Sequence, residues 1–100
     1  YHKKDARVVE IDSFKVEVVP EGHMLFIHNV DRPGVIGMVG QVLGENSINI
    51  VRMQCALEKR GGNALLIIAS DTVFPASALD KIKSSSNILS VKVANLSSRS

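Results

Sequence analysis

The sequence predicts an α+β domain: a four-stranded antiparallel sheet, two helices on one of its faces, and a short β-hairpin in front. Three observations predict it. Four longer runs carry strand patterning, two carry helical spacing, and after residue 22 they alternate as strand, helix, strand, strand, helix, strand. At 100 residues the chain makes one small domain, near the size at which a core by itself is a marginal source of stability and a partner helps.

The first two runs form the hairpin. Val8 and Val9 lie in a β-rich stretch from Arg7 to Ile11, and Phe14, Val16 and Val18 alternate with Lys15, Glu17 and Val19. Asp12-Ser13 joins them, which predicts a hairpin with one buried face. Pro20-Glu21-Gly22 breaks the pattern. Met24 to Val30 then reads as a strand buried on at least one face. From Pro33 the period changes: Val35, Ile36, Val39, Val42 and Leu43 fall at helical spacing until Asn46-Ser47. Asp31 or Arg32 is the expected N-cap, with Pro33 in the first turn. Gly37, Gly40 and Gly44 interrupt this helix, each costing up to about 1 kcal/mol of helix propensity. Their placement implies close approach of another backbone, at a sheet face or across a subunit boundary.

Ile48 to Leu57 is a strand with imperfect alternation, and Arg60-Gly61-Gly62-Asn63 is a hairpin turn. Ala64 to Ser70 is almost continuously apolar, as in a central strand buried on both faces. Pro75 opens a short helix carrying Ala78, Leu79 and Ile82, and Ile88 to Leu96 is the last strand. That order is the split βαβ, or ferredoxin-like, plan. Two helices cover one face of its sheet, so the other face must be polar or be covered by something else.

Composition excludes several function classes. The net charge is +2 and the basic residues are scattered, without interleaved aromatics, so no nucleic-acid partner is expected. Phe26 is the only aromatic in the four main strands, which sets aside an RNA-binding sheet. No apolar run is long enough to span a membrane, and no signal peptide opens the chain. Cys55 is alone, which removes an internal disulfide and points to a reducing, cytoplasmic setting. His2, His23, His28 and Cys55 are too few and too dispersed for a metal site. No Ser or Cys has a base at motif spacing and no dinucleotide loop is present, so neither catalytic residues nor a cofactor are expected in this chain. The chain opens on Tyr1 rather than Met, which suggests a piece of a longer protein or a processed product.

One stretch has the chemistry to bind something small. Asn29-Val30-Asp31-Arg32-Pro33-Gly34-Val35-Ile36-Gly37 lies where a strand gives way to a helix, and Asn49 follows twelve residues later. A helix N-terminus presents unpaired N–H groups and a partial positive charge. Gly34 and Gly37 let a ligand lie close to the backbone. Asp31 could instead simply cap the helix, and Asn49, after Asn46-Ser47, could be plain turn chemistry.

The same residues carry a resemblance. Strand, Asp31-Arg32-Pro33-Gly34-Val35-Ile36, a glycine-interrupted helix and Ile48-Asn49-Ile50 together resemble the ACT domain, a small regulatory module that binds amino acids. The match covers residues 23–96. Arg7-Val8-Val9-Glu10-Ile11-Asp12 with Phe14, and then Pro20-Glu21-Gly22, is similar to the lead-in at the C-terminal end of D-3-phosphoglycerate dehydrogenases. A related lead-in precedes the ACT domain of iron–sulfur L-serine dehydratases, and the dehydrogenases are the better match. The resemblance implies a lead-in over residues 1–22 from an upstream domain and the ACT domain over 23–96, and the Ser-rich end predicts a frayed tail over 97–100. It implies L-serine or another small amino acid as ligand, and side-by-side pairing of two copies. It places Asn29, Asp31 and the backbone of Gly34, Val35 and Ile36 on one side of the ligand, and Asn49 of the neighbouring copy on the other. Asp31 accepts from an ammonium, the helix N–H groups donate to a carboxylate, and the Asn49 amide suits either. His28, one position before Asn29, is expected on the opposite face of its strand. The competing expectation is a module that dimerises without any ligand.

Overall fold

A computed structural model of the chain describes residues 7–12, 14–18, 22–58 and 62–95. The elements are β1 (Arg7–Ile11), β2 (Phe14–Val18), β3 (His23–Val30), α1 (Val35–Glu45), β4 (Ile50–Leu57), β5 (Asn63–Ser70), α2 (Ala76–Lys83) and β6 (Ile88–Asn95). The expected tail, Pro20-Glu21 and the Arg60-Gly61 part of the turn lie outside the described residues. β1 and β2 pair as an antiparallel hairpin, and the remaining strands form an antiparallel sheet in the order β4-β5-β3-β6. The α+β, ferredoxin-like expectation therefore holds, with the hairpin in front.

Pleating sorts the sheet into two faces. Leu25, Ile27, Leu66 and Ile68 point to the helices and pack with Val35, Val39, Val42, Leu43, Phe74, Ala78 and Ile82. The four α1 residues fall at i, i+4, i+7 and i+8, one stripe of a helix, and each such burial is worth about 1.5–3 kcal/mol. Met24, Phe26, Leu65, Ile67 and Ala69 point the other way, against Val16 and Val18 of the hairpin. The hairpin is thus the cover of the second face, and β5 is buried on both faces, with Ala64 to Ser70 all shielded from solvent.

Polar contacts tie this cover down. The Asp12 carboxylate, in the hairpin turn, accepts from Ser90 Oγ (2.6 Å) and Lys92 Nζ (3.0 Å) on β6 and lies 3.2 Å from His28 Nδ1 on β3. Gln54 Nε2 on β4 donates to the Glu17 carbonyl (3.1 Å). The His28 ring meets Phe14 edge-on, with centroids 5.3 Å apart. His28 thus faces the hairpin, as alternation along its strand required.

Three local expectations need correction. The N-cap of α1 is Gly34, not Asp31 or Arg32, and no side chain caps this helix. Pro33 disfavours a helical conformation at Arg32, and Gly34 takes φ +93°, which a side chain rarely tolerates. Pro33 consequently lies in the turn before the helix. The α1 glycines mediate no close approach among the described residues: a Cβ built at Gly37, Gly40 or Gly44 meets none of them within 4 Å. The sheet-face explanation for them falls away. Finally, β4 starts at Ile50 rather than Ile48, with a bulge between Ile50 and Arg52. Ile48 is buried in the helix-face core, and Asn49 lies just before the strand.

Candidate functional site

The strand-to-helix corner lies at the end of the sheet where β3 finishes and β5 begins. Val30 pairs with Asn63, Val30 N–H donates to the Asn87 carbonyl (2.8 Å), and Asp31 N–H donates to the Gly62 carbonyl (2.8 Å). The backbone of Asp31 is therefore fixed while its side chain stays exposed and caps nothing. The carboxylate acts on Cys55 of β4: desolvation first, and then the Asp31 charge, raise the Cys55 thiol above its ordinary value.

The helix N-terminus supplies fewer donors than expected. Val35 N–H donates to the Arg32 carbonyl (3.3 Å), and the first bond to the N-cap runs from Met38 N–H to the Gly34 carbonyl (2.8 Å). The N–H groups of Ile36 and Gly37 come before that bond and lack a carbonyl partner among the described residues. The side chain of Val35 is core, whereas Ile36 is half exposed.

Asn29 is 4% exposed and, by alternation, shares the helix face of β3 with Leu25 and Ile27. Its Nδ2 donates to the neighbouring Val30 carbonyl (3.0 Å), while its Oδ1 is buried without a hydrogen-bond partner among the described residues. A buried acceptor left unpaired costs about 1–3 kcal/mol, so this oxygen is suited to a donor.

Asn49 lies elsewhere. Ile50 pairs with Ser70 at the far end of β5, whereas Asp31 follows the partner of Asn63 at the near end. Seven steps along β5 separate these ends, about 24 Å at the rise of a strand. In one copy of the chain, then, Asn29, Asp31 and the α1 N-terminus come together and Asn49 does not join them. Asn49 Nδ2 instead donates to Asp71 Oδ2 (3.0 Å), and Thr72 Oγ1 donates to Asp71 Oδ1 (3.0 Å). The Asn49 amide, followed by the Thr72 hydroxyl, holds the Asp71 carboxyl below its ordinary value. Sequence reasoning missed Asp71. It stands 22 positions from Asn49, and only the pairing of β4 with β5 brings them together.

Two shallow clefts lie away from these groups. One of about 290 Å³ runs between α1 and α2 beside Gln41, Glu45 and Lys81, and one of about 340 Å³ lies on β6 beside Lys83 and Leu89. Among the described residues, no three His, Cys, Asp or Glu side chains gather as a metal site would need, and no helix is long and apolar enough to cross a membrane.

A family model of the ACT domain matches residues 23–85, the span from the start of β3 to just past α2. The chain belongs to the ACT domain family. It is similar to D-3-phosphoglycerate dehydrogenase of Bacillus subtilis, with 37% identity over 90 residues, 90% of this chain and 17% of that protein. The enzyme of the same name from Methanocaldococcus jannaschii is 38% identical over 89 residues, 89% of this chain and 17% of that protein. That from Synechocystis is 33% identical over 78 residues, 78% of this chain and 14% of that protein. The chain spans about a sixth of the length of the first two relatives, and the aligned 90 residues exceed the family match by enough to take in sequence beyond the ACT core.

Proposed function

We propose that this ACT domain is the amino-acid-sensing regulatory part of a D-3-phosphoglycerate dehydrogenase, and that L-serine or another small amino acid binds at a seam between two copies. One observation carries the reading. Asp31 and the free N–H groups of Ile36 and Gly37 make half of a zwitterion site at one end of the sheet, and Asn49 lies at the other. Antiparallel pairing of two β4 edges about a two-fold axis exchanges those ends and brings Asn49 of each copy toward Asp31 of the other.

Further features support the seam. Among the described residues β4 is an edge strand of its sheet with Val51, Met53 and Leu57 exposed, a position from which another strand can extend the sheet. Met53, Cys55 and Leu57 pair with Ile68, Leu66 and Ala64, which places them on the helix side of the sheet. Gly37, Gly40 and Gly44 fall at i, i+3 and i+7, with open space around them in which a second helix could lie close.

A ligand that needs both halves favours the arrangement of subunits in which they are aligned. That differential affinity is the regulatory signal, typically about 1–3 kcal/mol. With serine as ligand in a serine-producing enzyme, the outcome is end-product inhibition. Calorimetric titration of the chain with L-serine tests this. Saturable binding that raises the dimer fraction in sedimentation supports it, and loss of binding in Asp31→Ala with an unchanged circular dichroism spectrum assigns the ammonium contact. Dimerisation without any serine heat leaves the ligand-free pairing module as the function.

A further inference from the structure

The end of the sheet opposite Asp31 carries a second polar cluster. Ser70, the last residue of β5, is buried, and its Oγ accepts from Thr72 N–H (2.8 Å). That bond shapes the chain around Asp71. Thr72 Oγ1 then donates to Asp71 Oδ1 and Asn49 Nδ2 to Asp71 Oδ2, both at 3.0 Å. Each carboxylate oxygen thus has a donor, and the carboxylate is tied to the end of β5 from two sides.

The direction of the Asn49 bond follows from chemistry. A carboxylamide has an acceptor edge and a donor edge, and an unpartnered Asn turns either one outward. An ionised carboxylate only accepts, so the edge of Asn49 that meets Asp71 has to be the NH2 group. The carbonyl oxygen is then the edge turned away from Asp71. The negative charge of Asp71 acts in the same sense, since it disfavours a second carboxylate close by and favours a cation.

We propose that Asp71 is a positioning residue, which turns the carbonyl oxygen of Asn49 toward the seam so that Asn49 takes the ammonium of the ligand and not its carboxylate. This rests on the seam reading above and fixes the direction in which the amino acid lies. The ammonium sits between Asp31 of one copy and Asn49 Oδ1 of the other, and the carboxylate is left to the N–H groups of Ile36 and Gly37. Asp71 sets this direction without touching the ligand.

The decisive variant is Asp71→Asn in the 100-residue chain. It keeps the shape of the side chain but offers both a donor and an acceptor edge, so Asn49 is no longer forced to one orientation. L-serine affinity should fall about tenfold, the value of a lost charge-assisted hydrogen bond, with the circular dichroism spectrum of the folded chain unchanged. Asp71→Ala should fall at least as far. In the ligand-free wild-type chain, one side-chain amide proton of Asn49 should carry the nuclear magnetic resonance signature of a hydrogen bond, absent in Asp71→Ala. Ethanolamine, which keeps the ammonium and lacks the carboxylate, should lose affinity in Asp71→Asn by the same factor as L-serine. If wild type binds L-serine and Asp71→Asn binds it equally well, the positioning role is wrong and the seam reading stands. If wild type gives no L-serine binding, both fall together.

Discussion

Asp31 shows how one residue's meaning depends on its neighbours. An Asp before Pro-Gly suggests a helix cap, yet Gly34 takes the cap position and the carboxylate is left uncommitted. The motif was legible as a string, but its meaning hung on the φ of Gly34, which Pro33 and the missing side chain set together. Asp12 is the reverse case: unremarkable in the sequence, it gathers Ser90, Lys92 and His28 from two strands. Its carboxyl is pulled down to about 2, by the Ser90 hydroxyl most and then by Lys92. A depressed folded value contributes stability in full above the ordinary value of 3.8 and loses it as pH falls through about 2. Asp12→Asn should therefore lower stability at neutral pH by about 1 kcal/mol, a figure kept small because the pair is partly exposed to solvent. Near pH 2 the gap between variant and wild type should largely close, as read from urea midpoints at the two pH values.

Helix α1 and strand β4 carry the surfaces on which the proposed seam rests. The periodicity of α1 was plain in the sequence, and its buried residues are four of the five apolar positions read from it; the fifth, Ile36, stays exposed. The purpose of its glycines was not plain, because a missing side chain serves packing inside a chain and packing between chains equally well. Open space around Gly40 removes the first explanation and leads to a two-sided prediction. Gly40→Ala should stabilise the monomer by about 0.5–1 kcal/mol, through helix propensity, and weaken dimerisation if a second helix lies there. Thermal melts at low concentration and sedimentation at high concentration separate the two effects. Gly34→Ala should act the other way and cost about 1 kcal/mol in chemical denaturation, because its φ of +93° is strained for any side chain.

The two-faced sheet gives the hairpin a structural task, as the cover of the face that the helices leave open. Without it, Met24, Phe26, Leu65, Ile67 and Ala69 would face water as a continuous apolar surface. Val18, the last residue of β2, is 2% exposed, so Val18→Ala should cost about 2 kcal/mol, seen as a lower urea midpoint with an unchanged slope. A chain starting at His23 should bind a dye specific for exposed apolar surface and associate at micromolar concentration. If it stays monomeric and dye-silent, the hairpin is not needed as a cover.

The order of elements, the central strand, the opposite pointing of His28 and the Asp31 corner all followed from local patterns. Period, turn chemistry and alternation act between residues close in the chain, so a string of letters records them. The cap at Gly34, the covering hairpin, the Asp12 contacts and the distance between Asp31 and Asn49 did not follow, because each depends on strands paired across many residues. Asn49 and Asp71 meet only because β4 lies beside β5, and Asn49 lies a sheet's length from Asp31 because the same pairing runs antiparallel. Sequence named Asp31 and Asn49 as candidate groups; folding put them at opposite ends of one molecule, and the proposed seam is what a second copy would supply to join them.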